Sequence, residues 1–318
     1  MKSYLFKKFL QFALTLAGVA VLIFFLLRVI PGDVVAVKLM SEGNTVSAEV
    51  LQVERARLGI DQPLWVQFSK WVLGMFQLDM GTSMWTGRPV MQEIGERFMV
   101  TFEVALLAVI VGTLLAAPMG LLAAVYRGTW VDHAVRLFAV LGISLPAFWV
   151  GLLVQTGLLK AVGWLPQMSE VSWFDDPFGR LAQVGLPALI VGWRMSAVVA
   201  RMLRSSMLEV LQEDYVRTAK AKGVPKWAML IRHAASNALL PAVTLLGLEF
   251  AYLLGGLVVT EQVFNLNGVG RFLVQAVSQS DYVLIQGLVM MFALSFVLIN
   301  LLVDVLYAVL DPRVRRRS

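Results

Sequence analysis

The chain has 318 residues, of which 58% are hydrophobic and 15% charged, and its mean hydropathy is +0.75. A soluble domain carries about 25% charged residues, so this composition excludes an ordinary soluble fold and predicts an all-α integral membrane protein. The lack of cysteine excludes disulfides and thiolate metal sites, and the net charge of +6 first raises the question of where the basic residues lie.

Six long apolar runs predict about six transmembrane helices, since each span needs about 20 apolar residues. The runs are 9–30, 101–126, 135–162, 184–203, 239–264 and 283–310. The first run has the basic start of a signal peptide, but it exceeds the roughly 7–15 apolar residues of such a peptide and has no small-x-small cleavage site. We therefore interpret it as a retained anchor.

The segment 31–100 is predicted to form a small folded cap outside the membrane. Two short amphipathic stretches, Ala48–Leu58 and Leu64–Phe76, lie between its glycines and prolines and should be helices. Three tryptophans of this segment, Trp65, Trp71 and Trp85, suit either the membrane interface or packing inside the cap.

The basic residues are concentrated in alternate segments, which the positive-inside rule assigns to the cytoplasm. They are Lys2, Lys7, Lys8, Arg127, Arg136, Arg201, Arg204, Arg217, Lys220, Lys222, Lys226, Arg232, Arg313, Arg315, Arg316 and Arg317. Both termini are therefore predicted to be cytoplasmic. The net positive charge of the chain is explained by its orientation in the membrane and by contact with anionic membrane lipid, and no nucleic acid is expected as a partner.

Prolines and small residues predict how the spans bend and pack. Pro118, Pro146 and Pro187 should kink or end their helices, because proline lacks a backbone donor. Small residues recur every four positions in two runs and should allow close helix contacts. They are Gly112, Ala116 and Gly120 in one run and Gly247, Ala251 and Gly255 in the other.

Two charged residues fall inside predicted spans, Arg194 in the fourth and Glu249 in the fifth. A charge inside a membrane is unfavourable unless it is paired or faces water. Three interpretations stay open: a mutual ion pair, a site in the translocation path that faces the substrate, or a wrong assignment of the spans.

The chain carries no recognisable catalytic motif. It lacks the G-x-x-x-x-G-K-[ST] loop that holds ATP phosphates, and neither His133 nor His233 has metal-site spacing. We therefore predict that it is not an enzyme and binds no cofactor or metal itself.

The polar stretch 201–241 is predicted to project into the cytoplasm as two short helices. The first should cover 206–222, with Gly223 as a left-handed cap, and the second should start at Pro225 and run through Ala235. Such a projection suits contact with a partner.

This stretch resembles the coupling motif in permeases of ATP-driven, binding-protein-dependent importers of the dipeptide, oligopeptide and nickel class. The matching residues are Asp214-Tyr215-Val216-Arg217-Thr218-Ala219-Lys220-Ala221-Lys222-Gly223, Arg232-His233-Ala234 and Asn237-Ala238-Leu239-Leu240-Pro241. Further matches cover most of the chain: Leu27-Arg28-Val29-Ile30-Pro31-Gly32-Asp33, Arg57-Leu58-Gly59-Ile60-Asp61-Gln62-Pro63-Leu64, Gly81-Thr82-Ser83, Ser144-Leu145-Pro146-Ala147-Phe148-Trp149, Glu261-Gln262-Val263-Phe264, Gly268-Val269-Gly270-Arg271 and Leu310-Asp311-Pro312-Arg313-Val314-Arg315. The chain departs from the broader importer pattern at Arg217-Thr218-Ala219, where a Glu-Ala-Ala triplet is usual.

The resemblance implies roles for two sets of residues. The residues expected to couple to an ATPase are Asp214, Tyr215, Arg217, Thr218, Ala219, Lys222, Gly223, Arg232, His233 and Pro241. The residues expected at an outer gate or loop are Glu261, Phe264, Gly268, Gly270 and Arg271. The implied division is an N-terminal transmembrane helix at 1–30, an extracytoplasmic cap at 31–100, and a core of five helices at 101–318 with a cytoplasmic coupling segment at 204–238.

The implied machine lies in a bacterial inner membrane. A homologous second permease would pair with this chain, two ATPase subunits would bind ATP and Mg, and an extracytoplasmic binding protein would deliver peptides or related small solutes. Alternating access would move the solute. Relatives also handle nickel chelates and glycosides, and the rival interpretations are a stand-alone secondary carrier, which needs inverted repeats, or a membrane scaffold without transport.

Overall fold

A computed structural model describes residues 2–29, 34–41, 47–165 and 171–310. The regular elements in these ranges are helices, accompanied by one isolated bridge between Thr82 and Pro89, so the all-α prediction is confirmed. Two groups of matching residues, Pro31-Gly32-Asp33 and Asp311-Pro312-Arg313-Val314-Arg315, lie outside the described residues, as do Arg316 and Arg317.

The helices follow one another in a simple order. They are α1 Lys2–Val29, α2 Val34–Ser41, α3 Ala48–Leu58, α4 Leu64–Phe76, α5 Val90–Val125, α6 Trp130–Ser144, α7 Ala147–Val162, α8 Pro177–Val210, α9 Asp214–Ala221, α10 Lys226–Ala228, a π-helical segment Met229–Ala235, α11 Ser236–Gly256, α12 Val258–Val263, α13 Val269–Ser278 and α14 Tyr282–Leu310.

Five of the described helical stretches are long and apolar enough to cross a membrane. They are Phe6–Val29, Val90–Val125, Pro177–Val210, Met229–Gly255 and Tyr282–Leu306. The third predicted span, 135–162, is divided between α6 and α7, and the pair is bent by 98° at the break.

The break lies where a proline was expected to disturb the helix. Pro146 has no N–H to continue the ladder of α6, and it precedes the first residue of α7. Pro118 and Pro187 instead lie inside α5 and α8, which do not end at them.

The contacts group the described residues into two compact units. The first unit comprises 100–267 and the described part of 296–318, and the second comprises 2–99 and 268–295. This grouping differs from the division into 1–30, 31–100 and 101–318, which followed the order of spans and loops. That division stays a prediction about membrane position.

In the first unit α8 packs against α6, α7 and α11, and small residues bring its backbone close to α5. A Cβ added at Gly192 would lie 2.8 Å from the Ala108 carbonyl oxygen, and one added at Gly120 would lie 2.9 Å from the Ala200 carbonyl oxygen. A Cβ added at Gly112 would lie 3.2 Å from the Gly192 carbonyl oxygen, so close contacts are found at both glycines of the first predicted set. In the second set Gly247 contacts Val303, whereas Gly255 has an open surface.

In the second unit α4 packs on α1 through aromatic and polar contacts. The Phe24 ring meets the Phe68 ring edge-on at 5.1 Å, and Nη2 of Arg28 donates to Oε1 of Gln67 at 3.0 Å. Trp71 packs beside Phe24, while Trp65 is 73% exposed.

A buried carboxylate joins the loop before α5 to the start of α14 in the second unit. Oδ2 of Asp281 accepts hydrogen bonds from the Ser83 hydroxyl at 2.6 Å and from the Met84 N–H at 3.0 Å. Its Oδ1 accepts from the Leu284 N–H, which caps α14. Nearby, Nε1 of Trp85 donates to the Gln279 carbonyl at 2.7 Å, so this tryptophan packs within the protein.

Candidate functional site

The projecting segment between α8 and α11 begins with a break that the sequence did not reveal. The helix predicted over 206–222 is wrong: α8 ends at Val210, Glu213 is extended, and α9 starts at Asp214. The two acids suit this break, because negative charge stabilises the N-terminus of a helix.

Gly223 ends α9 in the left-handed conformation that was predicted for it. Its φ is +78°, its N–H donates to the Lys220 carbonyl, and the Val224 N–H donates to the Ala219 carbonyl. A Cβ added at Gly223 would meet nothing within 4 Å. The backbone conformation alone therefore favours glycine here.

The second helix of the segment starts as predicted but does not end at Ala235. α10 begins at Lys226, just after Pro225, and continues through the π-helical segment directly into α11. The prediction of a separate short helix is wrong. The projecting segment is thereby connected to a membrane-spanning helix without a loop, and π-helical turns are rare and often mark functional sites.

Tyr215 connects α9 to this π-helical segment. Its hydroxyl donates to the His233 carbonyl at 3.3 Å and accepts from Nδ2 of Asn237 at 2.7 Å. On the same helix Val216 and Ala219 are buried. Polar and apolar contacts therefore hold α9 against the base of α11, so that a force on α9 reaches α11 directly.

Most residues expected to couple to an ATPase are exposed on this projection. The exposed ones are Asp214, Tyr215, Arg217, Thr218, Lys222, Gly223, Arg232 and His233, whereas Ala219 is buried and Pro241 is half-buried in α11. Arg217 pairs with Asp214 at 3.4 Å, with both side chains largely in solvent. This surface is thus polar, charged and open.

A buried ion pair that sequence reasoning missed supports the base of the projection. Nε and Nη2 of Arg204 donate to the two carboxylate oxygens of Asp132 at 2.8 and 2.9 Å. Asp132 also accepts from the Gly128 N–H and lies 3.3 Å from Arg136. An acid three residues before the predicted span 135–162 was its only signal, and that signal also fits an ordinary role near a helix N-terminus.

Arg194 and Glu249 are brought together across α8 and α11. Nη2 of Arg194 donates to Oε2 of Glu249 at 3.0 Å. The side chains are 30% and 17% exposed, and the Arg194 guanidinium lies 5.9 Å from the ring of Tyr252. Placing a charged side chain at the centre of a membrane costs about 2.5–3.5 kcal/mol of free energy. The pair is therefore expected to face protein or water and not lipid.

A second missed ion pair in the first unit is more enclosed. Nε and Nη2 of Arg180 both donate to Oε2 of Glu103, at 2.9 and 2.6 Å, and its Nη1 donates to Gln183. The Arg180 side chain is 5% exposed. In the sequence Arg180 is the one basic residue between Gly163 and Gln183, and this isolation is its signal.

The residues expected at an outer gate are divided between the two units. In the first, Glu261 is fully buried and accepts a hydrogen bond from Thr101 at 2.5 Å, and Phe264 packs against Gly151. In the second, Gly268 precedes the first residue of α13, Gly270 is buried and Arg271 is half-buried.

The described residues contain no group of three histidine, cysteine, aspartate or glutamate side chains placed to hold a metal ion. Their charges are instead arranged in ion pairs within the helix bundle and on an open projection. Such an arrangement can transmit movement between a bound partner and the membrane helices.

The chain matches known protein families over nearly its whole length. Residues 116–316 match the model of the binding-protein-dependent transport system inner membrane component, and residues 1–105 match the N-terminal model of the binding-protein-dependent transport system membrane component. It is similar to the glutathione transport system permease proteins of Salmonella paratyphi A and Salmonella typhi, at 42% identity over 315 residues covering 99% of each chain. The protein with the same description from Pectobacterium atrosepticum is 41% identical over the same length.

Proposed function

The chain belongs to the family of binding-protein-dependent transport system inner membrane components and is a permease subunit of an ABC importer, and we propose that it carries glutathione or related short peptides. In this proposal ATP and Mg are bound by two ATPase subunits, and a homologous permease completes the membrane channel. An extracytoplasmic binding protein delivers the substrate. Both termini and the projection that contains α9 lie in the cytoplasm.

The observation that carries the coupling role is the continuous helical connection from α10 to α11. Tyr215 ties α9 to the start of α11, and Gly223 sets the turn between α9 and α10. If an ATPase bound to α9 moves, the movement would therefore be passed to a membrane helix, because no flexible loop lies between α10 and α11. Rigid-body rocking of this kind is one way to give alternating access.

The substrate proposal follows the names of the relatives. The relatives match 99% of the chain at 42% identity and are named for glutathione transport. Nickel chelates and glycosides are the alternative solutes. A stand-alone secondary carrier would require no ATPase and would not need the exposed charges of α9.

Site-specific crosslinking tests the coupling role. The chain has no cysteine, so a single cysteine at Lys220, which is exposed on α9, gives an unambiguous attachment point. With a bifunctional reagent in membranes that contain the whole transporter, Lys220→Cys should be trapped with the ATPase. Phe174→Cys, on a 98% exposed residue of the loop before α8, serves as the control and should not be trapped with it. Capture of the ATPase by the control alone would reverse the proposed orientation.

Uptake measurements test the substrate and the energy source. Vesicles that contain the complete transporter and its binding protein should accumulate glutathione only when ATP is supplied. Accumulation driven by a proton or sodium gradient without ATP would support the carrier alternative. Competition by nickel chelates or glycosides, without competition by glutathione, would replace the proposed substrate.

A further inference from the structure

Three ion pairs in the first unit differ in how completely their hydrogen-bonding groups are used. Arg204 binds both carboxylate oxygens of Asp132, and Arg180 makes hydrogen bonds through three of its nitrogens. Within the described part of the chain, Arg194 makes one hydrogen bond, from Nη2 to Glu249. A guanidinium has five N–H donors, so most donors of Arg194 are unused.

The unused groups of this pair are accessible. The Arg194 side chain is 30% exposed and that of Glu249 is 17% exposed, whereas the Arg180 side chain is 5% exposed. The neighbouring Tyr252 is 63% exposed on α11. Both helices are long and apolar enough to span a membrane, and an accessible charge pair within a span is expected to face a water-filled path or protein.

From these observations we propose that Arg194 and Glu249 form a subsite for an α-amino-α-carboxylate head group, with Tyr252 at its edge. The proposal rests on the proposed importer function and adds the part of the substrate that the path recognises. The second N–H of Nη2 of Arg194 forms a fork for the substrate carboxylate together with Nε or Nη1, whichever lies on the side away from Glu249, and Oε1 of Glu249 receives the ammonium. Nη2 of Arg194 keeps its hydrogen bond to Oε2 of Glu249.

The geometry favours one arrangement of substrate charges over another. The two protein charges are in direct contact at 3.0 Å, so they match an ammonium and a carboxylate on the same carbon. Glutathione has such a head group, because its glutamyl residue is linked through the side chain. In an ordinary peptide the two charged ends are separated by at least one further residue, which adds about 3.5 Å.

Two isomeric tripeptides provide the test. S-methylglutathione and its α-glutamyl isomer have the same composition and net charge, but only the first has both charges on the same carbon at its glutamyl end. ATP-dependent uptake of each is measured in vesicles with the whole transporter and the same binding protein. Wild-type permease should take up S-methylglutathione faster than the isomer.

Variants assign this preference to the permease. Glu249→Gln and Arg194→Gln should each reduce the ratio of the two uptake rates about tenfold, because each removes a charge-assisted hydrogen bond. Leu248→Ala, on the neighbouring exposed residue of α11, is the matched control and should keep the ratio. If the Arg194→Gln protein is not found in the membrane, Arg194→Lys replaces it, since lysine keeps the charge and lacks the planar fork.

The outcomes separate this subsite from the importer function. Equal wild-type uptake of the two isomers, or an unchanged ratio in Glu249→Gln, would overturn the subsite and leave the importer function intact. Failure of wild-type vesicles to take up either isomer with ATP would contradict the glutathione proposal, and the subsite would be rejected with it. ATPase activity stimulated by the loaded binding protein shows in each variant that the transporter is assembled.

Discussion

Arg204 donates to both carboxylate oxygens of Asp132, so one buried ion pair joins the end of α8 to the first turn of α6. The Asp132 side chain is 1% exposed and also holds the Gly128 N–H. The pair therefore fixes the position from which the projection containing α9 extends.

Loss of this pair should destabilise the permease. Asp132→Ala leaves the Arg204 charge without its carboxylate partner, and removal of one member of a buried pair costs about 3–5 kcal/mol. We expect a lower yield and an earlier thermal transition of the detergent-purified protein. The control is Asp214→Ala, which removes an exposed pair with Arg217 and a charge at the start of α9 and should lower the transition much less. Equal transitions in the two variants would show that the Asp132 pair contributes nothing to stability.

Substitution of Gly223 should damage coupling more than membrane insertion. A non-glycine residue at φ +78° is strained by about 1–2 kcal/mol, and valine is worse because it is β-branched. Gly223→Val should insert normally and show reduced stimulation of ATPase activity by the loaded binding protein. Gly157→Ala is a suitable control, because Gly157 lies inside α7, has open space around it and has no positive φ. Normal stimulation in Gly223→Val would contradict the role of this turn.

Tyr215 and Asn237 should stabilise the π-helical segment as a unit. Tyr215→Phe removes a hydroxyl that bonds to both His233 and Asn237, and a hydrogen bond of this kind contributes about 0.5–1.5 kcal/mol. Hydrogen exchange of the amides at 229–238 should become roughly 2–10-fold faster.

A double-mutant comparison separates this link from a general loosening of the helix. Asn237→Ala should accelerate the same amides, and the combined variant should be less affected than the sum of the two single changes. Additive effects would mean that the two side chains act independently, and the proposed link from α9 to α11 would be wrong.

The contact between α5 and α8 should tolerate no side chain at Gly192. An added Cβ would lie 2.8 Å from the Ala108 carbonyl oxygen and 2.9 Å from Cβ of Val111, and such overpacking costs about 1–3 kcal/mol. Gly192→Ala should lower the melting temperature of the purified protein. Gly185→Ala on the same helix should not, since its nearest contact would be 3.5 Å from Leu181. Similar melting temperatures for both variants would show that α5 and α8 can move apart without a loss of stability.

Local signals account for the parts of the fold that were predictable. Ser47 caps α3 by accepting from the Val50 N–H, and Gly59 follows Leu58 with a φ of +67°, so the ends of this helix are encoded next to it. Pro146 marks the break between α6 and α7 locally as well, because it has no backbone N–H. Gly223 likewise indicates a left-handed turn by its residue type alone, and its φ is +78°.

Contacts between distant residues were not predictable in the same way. Asp132 and Arg204 are 72 positions apart, and Glu103 and Arg180 are 77 apart, so only the packing of helices reveals them as partners. The π-helical segment has no local marker either, because its apolar residues fit an α-helix equally well. Arg194 and Glu249 were identifiable as a candidate pair because charges inside apolar runs are rare.

The bend between α6 and α7 has a mechanical consequence. The two helices have 15 and 16 residues and are about 22 and 24 Å long, so each is shorter than a hydrocarbon layer of about 30 Å. Two short rods joined at an angle change their combined reach when the angle changes, without breaking a hydrogen bond in either rod. Membrane thickness therefore acts on this joint, and thicker membranes favour a straighter pair, with a bend smaller than the 98° found here.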